Sequence, residues 1–124
     1  MGRYLSVLAG AGLGGLARYI AGMWISEKLG AAFPWGTFTI NVSGCFLIGL
    51  LMAVIAAHPE LNPNWRLFLV VGVLGGYTTF STFGYEVWRS AKDGQMLLSL
   101  TYVVSSVVAG YLAVWLGWAL GDRR

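Results

Sequence analysis

Charge is what this chain has least of: 10% of its 124 residues are Asp, Glu, Lys or Arg, whereas 57% are hydrophobic. A soluble domain carries roughly 25% charged residues, so the deficit makes lipid the expected solvent. Cysteine is nearly missing too, and the solitary Cys45 excludes an internal disulfide. His58 is the one histidine and stands beside Pro59. Neither it nor Cys45 has sequence neighbours that would make a metal site, so packing is the expected role of Cys45 and an interface or loop position that of His58. One His, one Cys and five acids cannot supply a nucleophile, a base and an orienting group together, so an enzyme is not expected.

What the chain has instead is apolar length. Crossing a bilayer takes about 20 mostly apolar residues per helix. Four such stretches fit, from Tyr4 to Ser26, Gly36 to Ala57, Trp65 to Trp88 and Gln95 to Leu120. The expected fold is therefore an all-α membrane protein, a single domain over residues 1–124 whose short connections make consecutive helices antiparallel neighbours. The first stretch is too long for a signal-peptide core and is interrupted by Arg18, so it is expected to be a retained helix.

The net charge of +3 does not point to nucleic acid, because the eight basic residues are scattered and form no patch. Arg3, Arg66, Arg123 and Arg124 fall on one side of the four spans; Lys28, Arg89 and Lys92 fall on the other, and Arg18 leans to that second side. Orientation normally follows an excess of Lys and Arg on the cytoplasmic side, and here there is none. Such a chain is expected to insert both ways, with two oppositely oriented copies pairing about an axis in the membrane plane, as inverted repeats do within larger transporters. Chance balance over so few charges is the alternative.

The stretch Gly75-Gly76-Tyr77-Thr78-Thr79-Phe80-Ser81-Thr82-Phe83 is at odds with a lipid-facing helix. Paired glycines followed by Thr-Thr loosen the helical ladder, and irregular backbone at membrane depth survives only when protein or a cavity covers it. The third span is therefore expected to break near its middle, with the break facing a binding site or conduction path. Phe80 and Phe83 share a face, where they serve either as ordinary lipid or core contacts or, set among the hydroxyls of Thr79, Ser81 and Thr82, as ring edges that attract an anion without carrying charge.

The other spans add candidates. Gly10 and Gly14, four apart, suit close helix packing. Arg18 costs about 2.5–3.5 kcal/mol inside a span unless it snorkels or faces water, so it either reaches the surface or forms the positive wall of an anion-gathering vestibule. Thr37 and Asn41 share a face of the second span, and Asn41 serves either as interhelical glue or as an N–H donor to an anion. Glu86 is expected to pair with Arg89 at the membrane surface. Tyr102 and Ser106, four apart, either line one groove with two hydroxyls or leave the serine bonded to its own helix.

At these residues the chain resembles the CrcB/Fluc family of fluoride channels, over all four spans. The resemblance is carried by Gly14-Gly15-Leu16-Ala17-Arg18-Tyr19, by Pro34-Trp35-Gly36-Thr37-Phe38-Thr39-Ile40-Asn41-Val42-Ser43-Gly44, and above all by the stretch from Gly75 to Phe83. It implies a dual-topology homodimer of antiparallel four-helix subunits with two narrow fluoride pores, in the inner membrane of a prokaryotic cell. Asn41, Phe80 and Phe83 match the pore residues, the phenylalanines presenting ring edges. Hydroxyls of Ser81, Thr82, Tyr102 and Ser106 would line the path, Thr37 joining them from the face it shares with Asn41. The resemblance also implies a structural sodium ion at the dimer centre, held by the backbone carbonyls of Gly75 and Thr78. One position departs from it: the hydroxyl track of the fourth span would continue one turn beyond Ser106, where this chain has Gly110.

The implied activity is passive fluoride export, for which no energy-coupling machinery is needed. A proton-coupled exporter of the small multidrug resistance type is the second class considered. The resemblance to that class would require a glutamate within the first span, which this chain lacks. A non-transporting membrane assembly factor is the third, and it would have no use for a buried Asn41 or a hydroxyl track.

Overall fold

The computed structural model describes residues 2–122, so Arg123 and Arg124, counted in the charge balance above, lie outside the described residues. Every regular element among these is helical. Helix α1 covers Gly2–Leu29 and α2 covers Trp35–Ala57. The third span, Pro63–Lys92, divides into α3 (residues 63–77) and α4 (Phe80–Lys92), and α5 covers Met96–Gly121. The four spans hold 28, 23, 30 and 26 residues and are long and apolar enough to cross a membrane. Two run further than expected, α1 to Leu29 rather than Ser26 and α4 to Lys92 rather than Trp88. Cations in the last turn favour the negative end of the helix dipole, which suits Lys28, Arg89 and Lys92. Gly30 (φ 78°) and Gly94 (φ 80°) then stop the two helices in the left-handed conformation that glycine alone adopts without penalty.

The break in the third span falls one step later than its glycines suggest. Gly75 is still helical (φ −63°, ψ −36°), whereas Thr78 (φ −84°, ψ 159°) and Thr79 (φ −151°, ψ 120°) are extended. Thr79 restarts the chain as an N-cap, its hydroxyl accepting the Thr82 N–H at 3.3 Å. Within α3, Leu67–Leu74 winds as a π-helix rather than the expected α-helix. The wider turns fit because α1 offers them no side chains: the carbonyls of Phe68 and Val73 lie where Cβ atoms on Gly10 and Gly14 would stand. Gly72 and Gly76 return the contact, Gly76 sitting 3.0 Å from the Ala11 Cα by the same measure. The glycines of this span thus serve packing more than bending.

The bundle is two tightly packed pairs, α1 on α3 and α2 on α5. In the second pair Gly49 lies against the Val114 carbonyl and Gly117 against that of Phe46. Little side-chain core results, with Ile40, Ala53, Leu74 and Tyr102 the buried hydrophobics. The accessible surface is 8104 Å². A compact soluble chain of this mass would show about 6,500 Å². The excess reflects an outward-facing apolar surface, from Leu8 and Leu16 to Leu97 and Tyr111, and open grooves between the helices.

Candidate ion pathway

Asn41 clamps the break from α2. Asn41, on α2, accepts the Thr79 N–H with Oδ1 at 2.9 Å and donates Nδ2–H to the Thr79 carbonyl at 3.0 Å. In an uninterrupted helix that N–H would go to the Gly75 carbonyl. Asn41 therefore does the work of interhelical glue, and it does so at the point where the ladder opens. One Nδ2–H is spent on Thr79; the amide has a second to give. Gly44, one turn along α2, leaves the space that the Thr78 methyl occupies, and Ser43 bonds the Tyr77 hydroxyl at 2.9 Å.

Two cavities meet at Thr79, which lines both. The first is a groove of about 410 Å³ between α2, α5 and the third span, and Asn41, Phe80, Phe83, Ser106, Gly75 and Thr78 all border it. Its walls are otherwise apolar or nearly so, including Cys45, Ile48, Leu74 and Val107. The Phe80 and Phe83 rings lie 5.7 Å apart, tilted by 40°, and Phe83 stands edge-on to Tyr102 at 5.0 Å and 68°. Phe80 is 83% exposed, so in a single chain the groove is open on that side. Ser106 Oγ is buried there without a hydrogen-bond partner among the described residues.

The second cavity is a polar basin of about 570 Å³ bordered by Arg18, Thr37, Ser81 and Thr82. Among the described residues Arg18 has no ion-pair partner, so its charge faces the basin uncompensated. The Thr79 hydroxyl donates to Thr82 Oγ1 at 3.0 Å, which leaves the Thr82 proton available.

Tyr102 borders neither cavity. The length of its ring carries the hydroxyl away from Ser106 and up to Glu86, so the two hydroxyls of α5 do not share one groove. Tyr102 donates to Glu86 Oε2 at 2.8 Å while Thr37 donates to Oε1 at 2.9 Å. The expected Glu86–Arg89 pair is thereby corrected: both carboxylate oxygens are taken by hydroxyls, and Arg89 turns to Asp93, one turn on, at 3.8 Å. With their protons committed, Thr37 and Tyr102 have no O–H to offer an anion, whereas Ser81, Thr82 and Ser106 keep a hydroxyl proton and Asn41 keeps one amide N–H. Glu86 is thus a site residue that spacing alone misplaces. Its signal in the sequence was its position, a carboxylate inside a span, where a hydrogen-bonded partner is obligatory.

The sequence model of a family described as CrcB-like protein, Camphor Resistance (CrcB), matches residues 5–118. The chain belongs to the CrcB family. A relative from Acidobacterium capsulatum is 55% identical over 121 residues, 98% of this chain and 97% of its own, and bears the name fluoride-specific ion channel FluC. Relatives of the same name from Solibacter usitatus (48% over 121 residues; 98% of this chain, 99% of its own) and Thermus thermophilus (44% over 119 residues; 96% and 93%) align over almost as much. The name these relatives bear is that of a channel, in line with the expectation that the chain is not an enzyme.

Proposed function

We propose that the protein is a fluoride-selective channel that passively exports cytoplasmic fluoride. The observation that carries this reading is the meeting, at one clamped backbone break, of a basin whose arginine has no ion-pair partner among the described residues and a groove of uncharged donors and phenylalanine rings. Fluoride is small and strongly hydrated, so a path for it must replace water with several donors and yet hold the ion weakly enough to let it go. Arg18 gathers the anion, Ser81 and Thr82 begin its dehydration, and Asn41 and Ser106 continue it beside the Phe80 and Phe83 rings. Thr37 and Tyr102 act through Glu86, which ties α2, α4 and α5 together beside the path. Hydrogen fluoride that leaks into a neutral cytoplasm ionises, and an inside-negative potential then drives the anion outward at about 2.3 kcal/mol per 100 mV.

The functional unit is an antiparallel homodimer with two pores in the inner membrane. The even division of basic residues, the open side of the groove at Phe80 and the outward apolar surface support it. A structural sodium ion fits the break. The Thr79 N–H is drawn off to Asn41, so the Gly75 carbonyl loses its helical donor, and Thr78 is extended beside it. Two such carbonyls from each copy would give a hard cation oxygen ligands at the dimer centre. A proton-coupled exporter has no comparable support: it needs a carboxylate free to exchange protons with the path, whereas Glu86 is engaged on both oxygens and Glu27, which the longer α1 takes in, is exposed near its end and borders neither cavity.

Purified protein in liposomes should release fluoride and retain chloride, with no need for an imposed pH gradient. Equal leakage of both halides would remove selectivity, and release that follows only a proton gradient would favour the exporter. Reporters fused to the C-terminus should appear on both sides of the membrane; a single orientation would contradict the antiparallel dimer.

A further inference from the structure

Facing sides of α2 and α5 meet in three rungs. Thr37 and Tyr102 meet through Glu86, Asn41 and Ser106 both border the groove, and Cys45 meets Gly110. Residues four apart lie one above the other on a helix, so each rung stands one turn beyond the last. At the third rung α5 has no side chain. Gly110 is buried, and the one atom within 4 Å of where its Cβ would stand is Cys45 Sγ, at 3.3 Å. Cys45 borders the groove together with Ser106, whose buried hydroxyl is left without a partner among the described residues. A buried hydroxyl in that state is costly unless a polar ligand visits it.

We propose that the Cys45 thiol at the third rung is a further donor of the path, giving its S–H to the anion one turn beyond Ser106. This rests on the fluoride-channel reading. Where α5 supplies no hydroxyl, α2 supplies a thiol, and Gly110 keeps the space around it clear. A serine at 110 would press on Sγ. The S–H group is a weak donor, which suits the part of the path where the ion is leaving rather than being captured. Its neighbours along the groove, Ile48 and Val107, offer no donors, so the thiol is what remains there to meet a partly dehydrated ion.

Because the chain has one cysteine, the S–H stretching band in the infrared spectrum belongs to Cys45 alone. In wild-type protein reconstituted in lipid, exchanging gluconate for fluoride should move that band to lower frequency, and exchanging it for chloride should not. Cys45→Ala should slow fluoride release about three- to tenfold, the loss of one weak hydrogen bond. Cys45→Ser, a stronger donor, should recover most of that rate. An S–H band that fluoride leaves in place, in protein that releases fluoride, overturns the proposal while the channel reading stands; so does a Cys45→Ala variant as fast as wild type. Wild-type protein that releases no fluoride overturns both. The infrared measurement needs no variant, so it decides the matter even where Cys45→Ala fails to fold.

Discussion

The groove and the basin lie on either side of Thr79 and solve opposite problems. The basin, with Arg18 free of ion pairs among the described residues and Ser81 and Thr82 exposed, resembles water that carries a charge: it collects ions and binds none of them firmly. The groove, with two phenylalanines and scattered single donors, takes the ion out of water. Charge placed in the groove would trap an anion, and aromatic walls around the basin would never attract one. The division of labour follows from dielectric: a full charge is safe where solvent screens it, and only partial charges are safe where nothing does. A channel can therefore be weakened on either side separately, with different signatures.

The sharpest way to break the comparison is to remove the seam. Asn41→Ala deletes both hydrogen bonds to Thr79 and allows the Thr79 N–H to rejoin the Gly75 carbonyl, closing the break on which both cavities depend. Fluoride release should fall to background, and stability should drop by about 1 kcal/mol, since the Thr79 carbonyl loses its amide donor while the N–H finds a new partner. Liposome flux and thermal unfolding in detergent measure the two effects. Wild-type flux from this variant would mean that the clamp is not what holds the path open.

The next effect is confined to the groove. Phe83→Ile keeps apolar volume and removes the ring edge, so the ion loses roughly 1.5 kcal/mol of stabilisation and release slows about tenfold or more. Because Phe83 also packs edge-on against Tyr102, the control is Tyr102→Leu, which removes that ring contact and leaves the Phe83 ring edge in place. If Phe83→Ile slows release and Tyr102→Leu does so far less, ring electrostatics and not packing accounts for the groove. Equal losses would return Phe83 to a packing role.

These elements differ in how legible they were. The four spans could be read from apolar length because lipid tolerates no other solution for a backbone, and the break could be read from four hydroxyls and two glycines crowded into one stretch. Its place could not, because whether Gly75–Gly76 or Thr78–Thr79 gives way depends on what α1 packs against, and only Gly10 and Gly14 in three dimensions decide that. Local spacing failed for Glu86 for a related reason. Arg89 is nearer in sequence, yet inside a bundle the hydroxyls of Thr37 and Tyr102 arrive from other helices and cost no desolvated charge. Tyr102 and Ser106 share a helix face as their spacing requires, but a tyrosine hydroxyl lies a full ring away from its backbone and so belongs to a different neighbourhood.

The smallest effect belongs to the basin, and its value is that it should depend on salt. Arg18→Gln leaves the groove and its donors intact, so selectivity for fluoride over chloride should be unchanged. What falls is the local concentration of anions at the mouth, a long-range Coulomb effect that salt screens over about 30 Å at 0.01 M and about 3 Å at 1 M. Release should therefore slow about threefold at the lower ionic strength, and the difference should vanish near the higher one. A loss that persists unchanged at about 1 M salt would mean that Arg18 contacts the ion within screening distance and belongs with the groove's binding groups. An Arg18→Gln channel that lost selectivity would go further, since it would show that the capture region also discriminates between halides and that the two cavities are not separate devices.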